Sequence, residues 1–186
     1  MYGNPTISSN PNSFTFAGNK YAITSNSINS LSSATFIAWV NPSQTQVDYT
    51  GVIFSRSPNA GATASATGMN FFRNNSVGYH WNDNPSSYNW DSGLQPPLNA
   101  WSMIAVTINS TSAIVYLFNA NGIISSLNSV SHPTLSGLKF YVGAEPFNLD
   151  TRAMVGRIGI AMVYNTALSQ AEITSIFNAQ KVTFGL

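Results

Sequence analysis

Short apolar runs recur along this chain, each closed by a cluster of Gly, Pro, Asn or Ser, and that cadence limits the fold more than any other feature. It is the pattern of a β-sandwich and not of alternating strand-helix units. The spacing predicts about ten strands: Ser13 to Phe16, Tyr21 to Ile23, Thr35 to Val40, Gly51 to Ser55, Met69 to Arg73, Val77 to Trp81, Trp101 to Ile108, Ile114 to Phe118, Leu138 to Gly143 and Arg157 to Tyr164. Several are apolar on both faces. Phe36, Ala38 and Val40 alternate with Ile37 and Trp39, as central strands of stacked layers do. The run from Arg157 puts Ile158, Ile160, Met162 and Tyr164 on one face and Gly159 and Ala161 on the other, a small-residue face that can be closely approached. Asn121-Gly122 and Asn74-Asn75-Ser76 read as hairpin turns.

One helix is expected. Ser169 and Glu172 form an S-x-x-E capping box, Leu168 and Ile173 a hydrophobic staple, and Ile173, Ile176 and Phe177 share one face that can dock on the sandwich. Pro58 to Gly68, rich in Ala, Gly, Ser and Thr, reads as an exposed loop. The 186 residues fit a single domain over 1–186, with residues 1–12 and 182–186 as terminal arms.

Composition narrows the function. Only 7% of residues are charged, and the net charge is +1. With Lys and Arg so scattered there is no cationic stripe, so nucleic acid and anionic membrane are poor partners. No apolar stretch approaches the roughly 20 residues a membrane helix needs, so no membrane insertion is expected. Met1 to Pro5 has neither the basic nor the apolar region of a signal peptide, and the span from Met1 to Leu186 suggests a complete gene product. Cysteine is absent, which removes disulfides, thiolate metal sites and thiol nucleophiles.

The pieces, taken in order, resemble laminin-G-like domains of the concanavalin A-like lectin and glucanase superfamily over about residues 14–180. Phe16-Ala17-Gly18 with Tyr21-Ala22-Ile23 is similar to the family's opening strand pair, and Thr35-Phe36-Ile37-Ala38-Trp39-Val40 to its F-x-x-x-W-V strand. Gly78-Tyr79-His80-Trp81-Asn82 through Trp90, then Asn99-Ala100-Trp101, resembles the middle strands of bacterial members. Gly156-Arg157-Ile158 through Tyr164-Asn165-Thr166-Ala167-Leu168-Ser169 resembles the closing strand and helix start. The resemblance implies an all-β, two-sheet antiparallel jelly-roll sandwich with one short C-terminal helix. Its members mostly bind glycans or proteins, commonly with calcium, and occasionally hydrolyse polysaccharides. Where many relatives carry two acidic residues in the closing strand, this chain has Gly159 and Ile160.

Glucanase relatives use paired carboxylates in an E-x-D-x-x-E strand, and that pattern is missing. Glu172 reads as a helix cap and Glu145 as a loop residue beside Pro146, while Asp83 with Asp91 and Glu145 with Asp150 are the remaining acid pairs that loops could bring together. His80 and His132 lack a nucleophile-elbow context. No catalytic residue is assigned, and no enzyme activity is expected.

Calcium would draw on Asp48, Asp83, Asp91 and Asp150, but such an ion wants about six to eight oxygens and usually more than one carboxylate. No metal or other cofactor is assigned. Asp150 beside Arg152 reads as a solvated surface pair.

The densest chemistry runs from Tyr79 to Asp91, read as a hairpin in which rings, amides and carboxylates alternate. Trp39, Trp81 and Trp101 are assigned to the core. The tip residues Asn82, Asp83, Asn84 and Tyr88 are the candidate ligand contacts, because ring faces cover pyranoses while Asn and Asp bind hydroxyls. The first functional expectation is a non-enzymatic surface module that binds a glycan or receptor and is displayed on a virion or cell envelope, at the virion surface or otherwise extracellular. The alternative is a structural decoration, head-fibre or sheath subunit that contacts capsid or other structural proteins, with room for an oligomer. A polysaccharide hydrolase stands a distant third.

Overall fold

The computed structural model describes residues 5–24, 27, 28, 30–56, 66–136 and 138–186. Its strands are β1 (Thr6–Ser8), β2 (Ser13–Ala17), β3 (Ala22–Ile23), β4 (Ala34–Pro42), β5 (Thr50–Ser55), β6 (Thr67–Phe72) and β7 (Ser76–His80). A short helix α1 (Pro85–Tyr88) follows, then β8 (Ser102–Ile108), β9 (Ala113–Asn119), β10 (Gly122–Asn128), β11 (Tyr141–Val142) and β12 (Val155–Tyr164). Helix α2 (Gln170–Gln180) and a 3-10 turn (Lys181–Phe184) end the chain.

Every pairing is antiparallel. The sheets run β1-β2-β12-β4-β8-β9-β10, seven strands, and β3-β11-β5-β6-β7, five strands. This is the jelly-roll sandwich with one C-terminal helix that the cadence and the resemblance led us to expect. Between the sheets lies the main core, where Phe36, Ala38 and Val40 of β4 meet Met69, Phe71, Val77, Tyr79 and Trp81. Each such large side chain contributes roughly 1.5–3 kcal/mol on burial.

The other side of β4 is equally dry. Ile37 and Trp39 lie under α2, which supplies Ile173 and Phe177. Ser169 is the N-cap of that helix. Its Oγ accepts from the Glu172 backbone N–H at 3.3 Å, while Glu172 Oε2 accepts from the Ser169 N–H at 2.8 Å. Those bonds to Ser169 hold the Glu172 carboxyl below its usual range. The Trp39 ring stacks on Phe184 at 4.1 Å and on Phe177 at 5.6 Å, and its Nε1–H donates to Gln180 Oε1 at 2.7 Å.

Several details depart from the sequence expectations. Within residues 182–186, expected as an arm, Phe184 folds back and stacks on Trp39, while Val182 stays exposed. Thr6–Ser8, expected within the other arm, adds an edge strand to β2, and residues 1–4 lie outside the described residues. Most of Pro58 to Gly68 also lies outside them, but Thr67 and Gly68 already belong to β6.

Strand β12 is irregular between Ile158 and Ala161. That shift breaks strict alternation: Ile158 joins the inter-sheet core, while Ile160, Met162 and Tyr164 turn to the helix side. Gly159 is closely approached, since a Cβ there would collide with the Phe184 ring. Trp39 and Trp81 are fully buried, whereas Trp101 is half-buried at the margin of the helix-side cluster, beneath Arg157 at 5.1 Å. Asn74 and Asn75 take left-handed φ values of 54° and 71°, as the tight turn between β6 and β7 demands.

Candidate functional site

A register shift between Gly51 and Ile53 puts both Val52 and Ile53 in the core, after which Phe54 turns outward and Arg56 follows on the same outer side. In register, Phe54 lies opposite Gly68 and Gly68 opposite His80, so one row across three strands carries only the rings of Phe54 and His80, 4.9 Å apart. Above this row Tyr49, Arg56, His80, Asp83, Tyr88, Phe147, Asn148 and Arg152 line an open cleft of about 290 Å³. That is near the lower end of the roughly 300–1,000 Å³ of small-ligand sites.

The wall of the cleft is a chain of charges. Arg56, its side chain only 4% exposed, reaches Asp83 Oδ1 through Nη2 at 3.2 Å and Glu145 Oε1 through Nε at 3.4 Å. Glu145, 1% exposed, meets Arg152 Nη1 through Oε2 at 3.4 Å and accepts the Phe147 N–H at 3.0 Å. Two arginines and two acids therefore compensate one another with no net charge. Gly51 makes the arrangement possible, because a Cβ there would strike the backbone of Ala144 and Glu145 where that loop crosses β5. The loop is then pinned by the Gly51 N–H to Arg152 O at 3.2 Å and the Glu145 N–H to the same oxygen at 3.1 Å.

The floor is aromatic. Tyr88 stacks on His80 at 5.3 Å, Tyr49 stacks on Phe72 at 5.1 Å and sits edge-on to His80 at 5.5 Å, and the Arg152 guanidinium lies 4.8 Å from the Tyr49 ring centre. Tyr49 holds φ at 67°, a strained conformation for a bulky residue and one that concentrates at binding sites. Its hydroxyl donates to Asn89 Oδ1 at 3.2 Å, and burial, with help from Asp48, raises its pKa.

His80 is buried with a defined tautomer. The Asn70 amide N–H donates to Phe71 O at 2.9 Å, which turns Asn70 Oδ1 toward His80 Nδ1 at 3.1 Å. Nδ1 therefore carries the proton, and Nε2 remains as an acceptor. Burial first, then the positive charges of Arg56 and Arg152, push the His80 pKa well below the usual imidazole range, so the ring stays neutral.

Of the four predicted contact residues, the fold brings Asp83 and Tyr88 into the cleft, makes Asn84 a helix cap and leaves the Asn82 side chain exposed outside the cleft lining. Asn84 is the N-cap of α1, its Oδ1 accepting from the Ser86 N–H at 3.0 Å. Asn82, exposed at φ 52°, donates its backbone N–H to Thr67 Oγ1 at 3.1 Å. The stretch from Tyr79 to Asp91 is not a hairpin. After β7 the chain turns through α1 and returns with no strand partner of its own among the described residues, held by bonds such as the Val77 N–H to Leu94 O at 2.9 Å.

Helix α1 is tied down from beneath. Asn128 Nδ2 donates to Ser86 O and to the Tyr79 hydroxyl, each at 2.9 Å, and Tyr79 is 3.0 Å from His132 Nε2. His132 Nδ1 donates to Asn109 O at 2.8 Å. Burial lowers the His132 pKa, opposed by that bond to Asn109.

Of the acids in the two pairs that loops could have brought together, Asp83, Asp91 and Glu145 take other partners. Asp83 binds Arg56, whereas Asp91 accepts from Ser76 Oγ at 2.6 Å and from the Gly93 N–H at 2.9 Å. Arg152 turns to Glu145 and not to its neighbour Asp150, which is exposed. Among the described residues no three His, Asp or Glu side chains converge as metal ligands. Arg56, Glu145, Arg152 and Tyr49 were missed as site residues. No motif links partners so far apart in sequence, although Gly51 inside a buried strand was a usable sign of close backbone approach.

The family model of the concanavalin A-like lectin/glucanases superfamily matches residues 16–174. No curated protein sequence matches the chain. Among solved structures, the heptameric SAP-like pentraxin of Limulus polyphemus superposes with a TM-score of 0.65 at 13% identity, over 87% of this chain and 79% of the pentraxin. Domain 4 of an extracellular arabinanase from Geobacillus stearothermophilus, solved with arabinotriose, superposes with a TM-score of 0.56 at 14% identity, covering 95% and 77%. The sialidase of Trypanosoma rangeli, solved with the inhibitor DANA, superposes with a TM-score of 0.61 at 19% identity. The match covers 93% of this chain but 28% of the sialidase. At these identities the likeness is one of fold. With the family model spanning most of its length, the chain belongs to the concanavalin A-like lectin/glucanase superfamily.

Proposed function

We propose that the chain is a glycan-binding module whose cleft over β5, β6 and β7 holds one end of an uncharged sugar chain, presented outside a cell or on a virion. The observation that carries this reading is the compensated Asp83-Arg56-Glu145-Arg152 chain beside the stacked rings of Tyr88, His80 and Tyr49. Carboxylates accept from sugar hydroxyls, guanidinium groups and tyrosine hydroxyls donate to them, and ring faces cover the apolar side of a pyranose. Because the four charges cancel, the wall offers an anionic sugar no net attraction. Pre-arranged polar groups reduce the ordering cost of binding. The arabinotriose-bound neighbour and the lectin-like fold support the ligand class.

Binding fits this cleft better than hydrolysis. Glycoside cleavage by paired acids needs one carboxyl free to donate a proton and a second free to attack or to activate water. Here Arg56 lies between Asp83 and Glu145, hydrogen-bonded to the first and ion-paired with the second. The test is a glycan array with and without calcium, followed by calorimetry on the best binders. Neutral glycans should bind the parent protein and lose at least tenfold in affinity to Tyr88→Ala. Absence of binding to every glycan, or cleavage that disappears in Asp83→Asn, overturns the proposal.

A further inference from the structure

We infer that β10 is a dimerisation edge, on which a second copy of this chain pairs its own β10 antiparallel about a two-fold axis centred on Ser125. Strand β10 pairs with β9 through all seven residues without a register shift, and it is last in its sheet. Its outer rim has no partner strand among the described residues. Ile123, Ile124 and Leu127 are 39%, 53% and 58% exposed.

Sheet edges are normally blunted by charge, proline, bulges, brevity or a covering segment. The other edges of this molecule show such devices. Strand β1 has three residues and β3 has two, while β7 is flanked by the return segment bonded at Val77. Strand β10, with the sequence GIISSLN, has none of them among the described residues, and neither it nor β9 contains a charged residue. Nothing in these strands repels an identical strand.

The edge is also self-complementary. With Ser125 opposite Ser125 of the second copy, Ile123 faces the second copy's Leu127, and the symmetry repeats that contact. Ile123, Ser125 and Leu127 are in register with Phe118, Tyr116 and Ile114 of β9. The new apolar pairs would therefore extend the cluster already covered by α2. Cross-strand pairs of this kind stabilise antiparallel ladders, and shared edges of one patch are what a two-fold dimer requires. A contact along one strand is small by the standard of stable interfaces, so the dimer should form and dissociate with protein concentration. Two clefts on one particle would then gain by avidity on a repetitive ligand.

Sedimentation velocity over a wide concentration range tests the inference. The parent protein should pass from monomer to dimer and stop there, whereas Ile123→Lys/Leu127→Lys and Ile123→Glu/Leu127→Glu should each stay monomeric with unchanged far-ultraviolet circular dichroism. Mixing the two variants should restore a dimer, a result that a folding defect cannot produce. Because the chain has no cysteine, Ser125→Cys should crosslink rapidly under diamide and Ser126→Cys slowly. A parent protein that remains monomeric, assembly beyond the dimer, failure of the mixed variants to associate, or equal crosslinking at both positions would overturn it.

Discussion

On the outer face of the seven-stranded sheet Trp39 lies ring on ring with Phe184 and Phe177; on the outer face of the five-stranded sheet Tyr88 lies on His80 and Tyr49 on Phe72. The first stack is sealed by α2 and the turn that follows it. The second stands open beneath a chain of four compensated charges. What separates them is the chemistry of the loops above. A helix with Ile173 and Phe177 on one face can displace water from Trp39, but a loop carrying Glu145 and Arg152 cannot dehydrate Tyr49 without stranding ions. One aromatic face thus becomes core and the other becomes a site.

Substitutions on the two faces should separate stability from binding. Trp39→Ala should cost about 3–5 kcal/mol in urea unfolding, with glycan affinity unchanged under conditions where the variant is folded. Comparable loss of binding in the folded variant would break the distinction. Glu145→Leu should cost less, about 1–3 kcal/mol, since it leaves the buried Arg56 Nε without a carboxylate while Asp83 still holds Nη2, and the double variant Arg56→Met/Glu145→Leu should recover much of that loss. Both single and double variants should lose binding, which marks the charges as a wall of the site and more than a staple for the loop.

Acid should act through two buried rings, His80 under the open cleft and His132 beside Tyr79 and Trp81. His80 and His132 both have depressed pKa values in the folded protein, so the unfolded chain binds more protons than the folded one once pH falls below about 6.5. Their contribution to stability is intact above that value and is lost as pH drops from there toward the folded-state pKa values. The slope is at most about 1.4 kcal/mol per pH unit for each ring. Urea titrations at stepped pH should show this slope, and His80→Gln should flatten it more than His132→Gln, because Arg56 and Arg152 add to burial in depressing the His80 pKa while the bond to Asn109 opposes burial at His132. Equal slopes in all three proteins would remove the histidines from the account. The smallest effect expected is from Ser169→Ala, about 1 kcal/mol from loss of the α2 cap, read as a lower thermal midpoint with binding untouched.

The sealed face was far more legible in sequence than the open one. Alternation exposed the two apolar sides of β4, and the Ser169–Glu172 box marked where α2 begins, since both signals are local and repeat with the period of the backbone. The role of Phe184 was not legible. It depends on a 3-10 turn folding back onto a residue distant in sequence.

At the open face, Asp83 and Tyr88 were found because they cluster with aromatic neighbours in one short stretch. Asn84 drew attention for the same reason, although Asn84-Pro85 also spells an N-cap followed by proline at the first helical position, which is the role it fills. The charges were the hardest part. Arg56 and Glu145 are joined by tertiary packing alone, and a lone glutamate beside a proline gives no sign that a guanidinium waits on either side. Arg152 was paired with Asp150 by proximity in sequence, yet burial selects Glu145, the carboxylate that cannot find water.

The most direct test is an amide-resolved NMR titration of the isotopically labelled protein with a panel of neutral oligosaccharides. The account predicts saturable shifts centred on Tyr49, Arg56, His80, Asp83, Tyr88 and Arg152, with the α2 face silent. Shifts centred away from these residues, or none with any sugar in the panel, would contradict it.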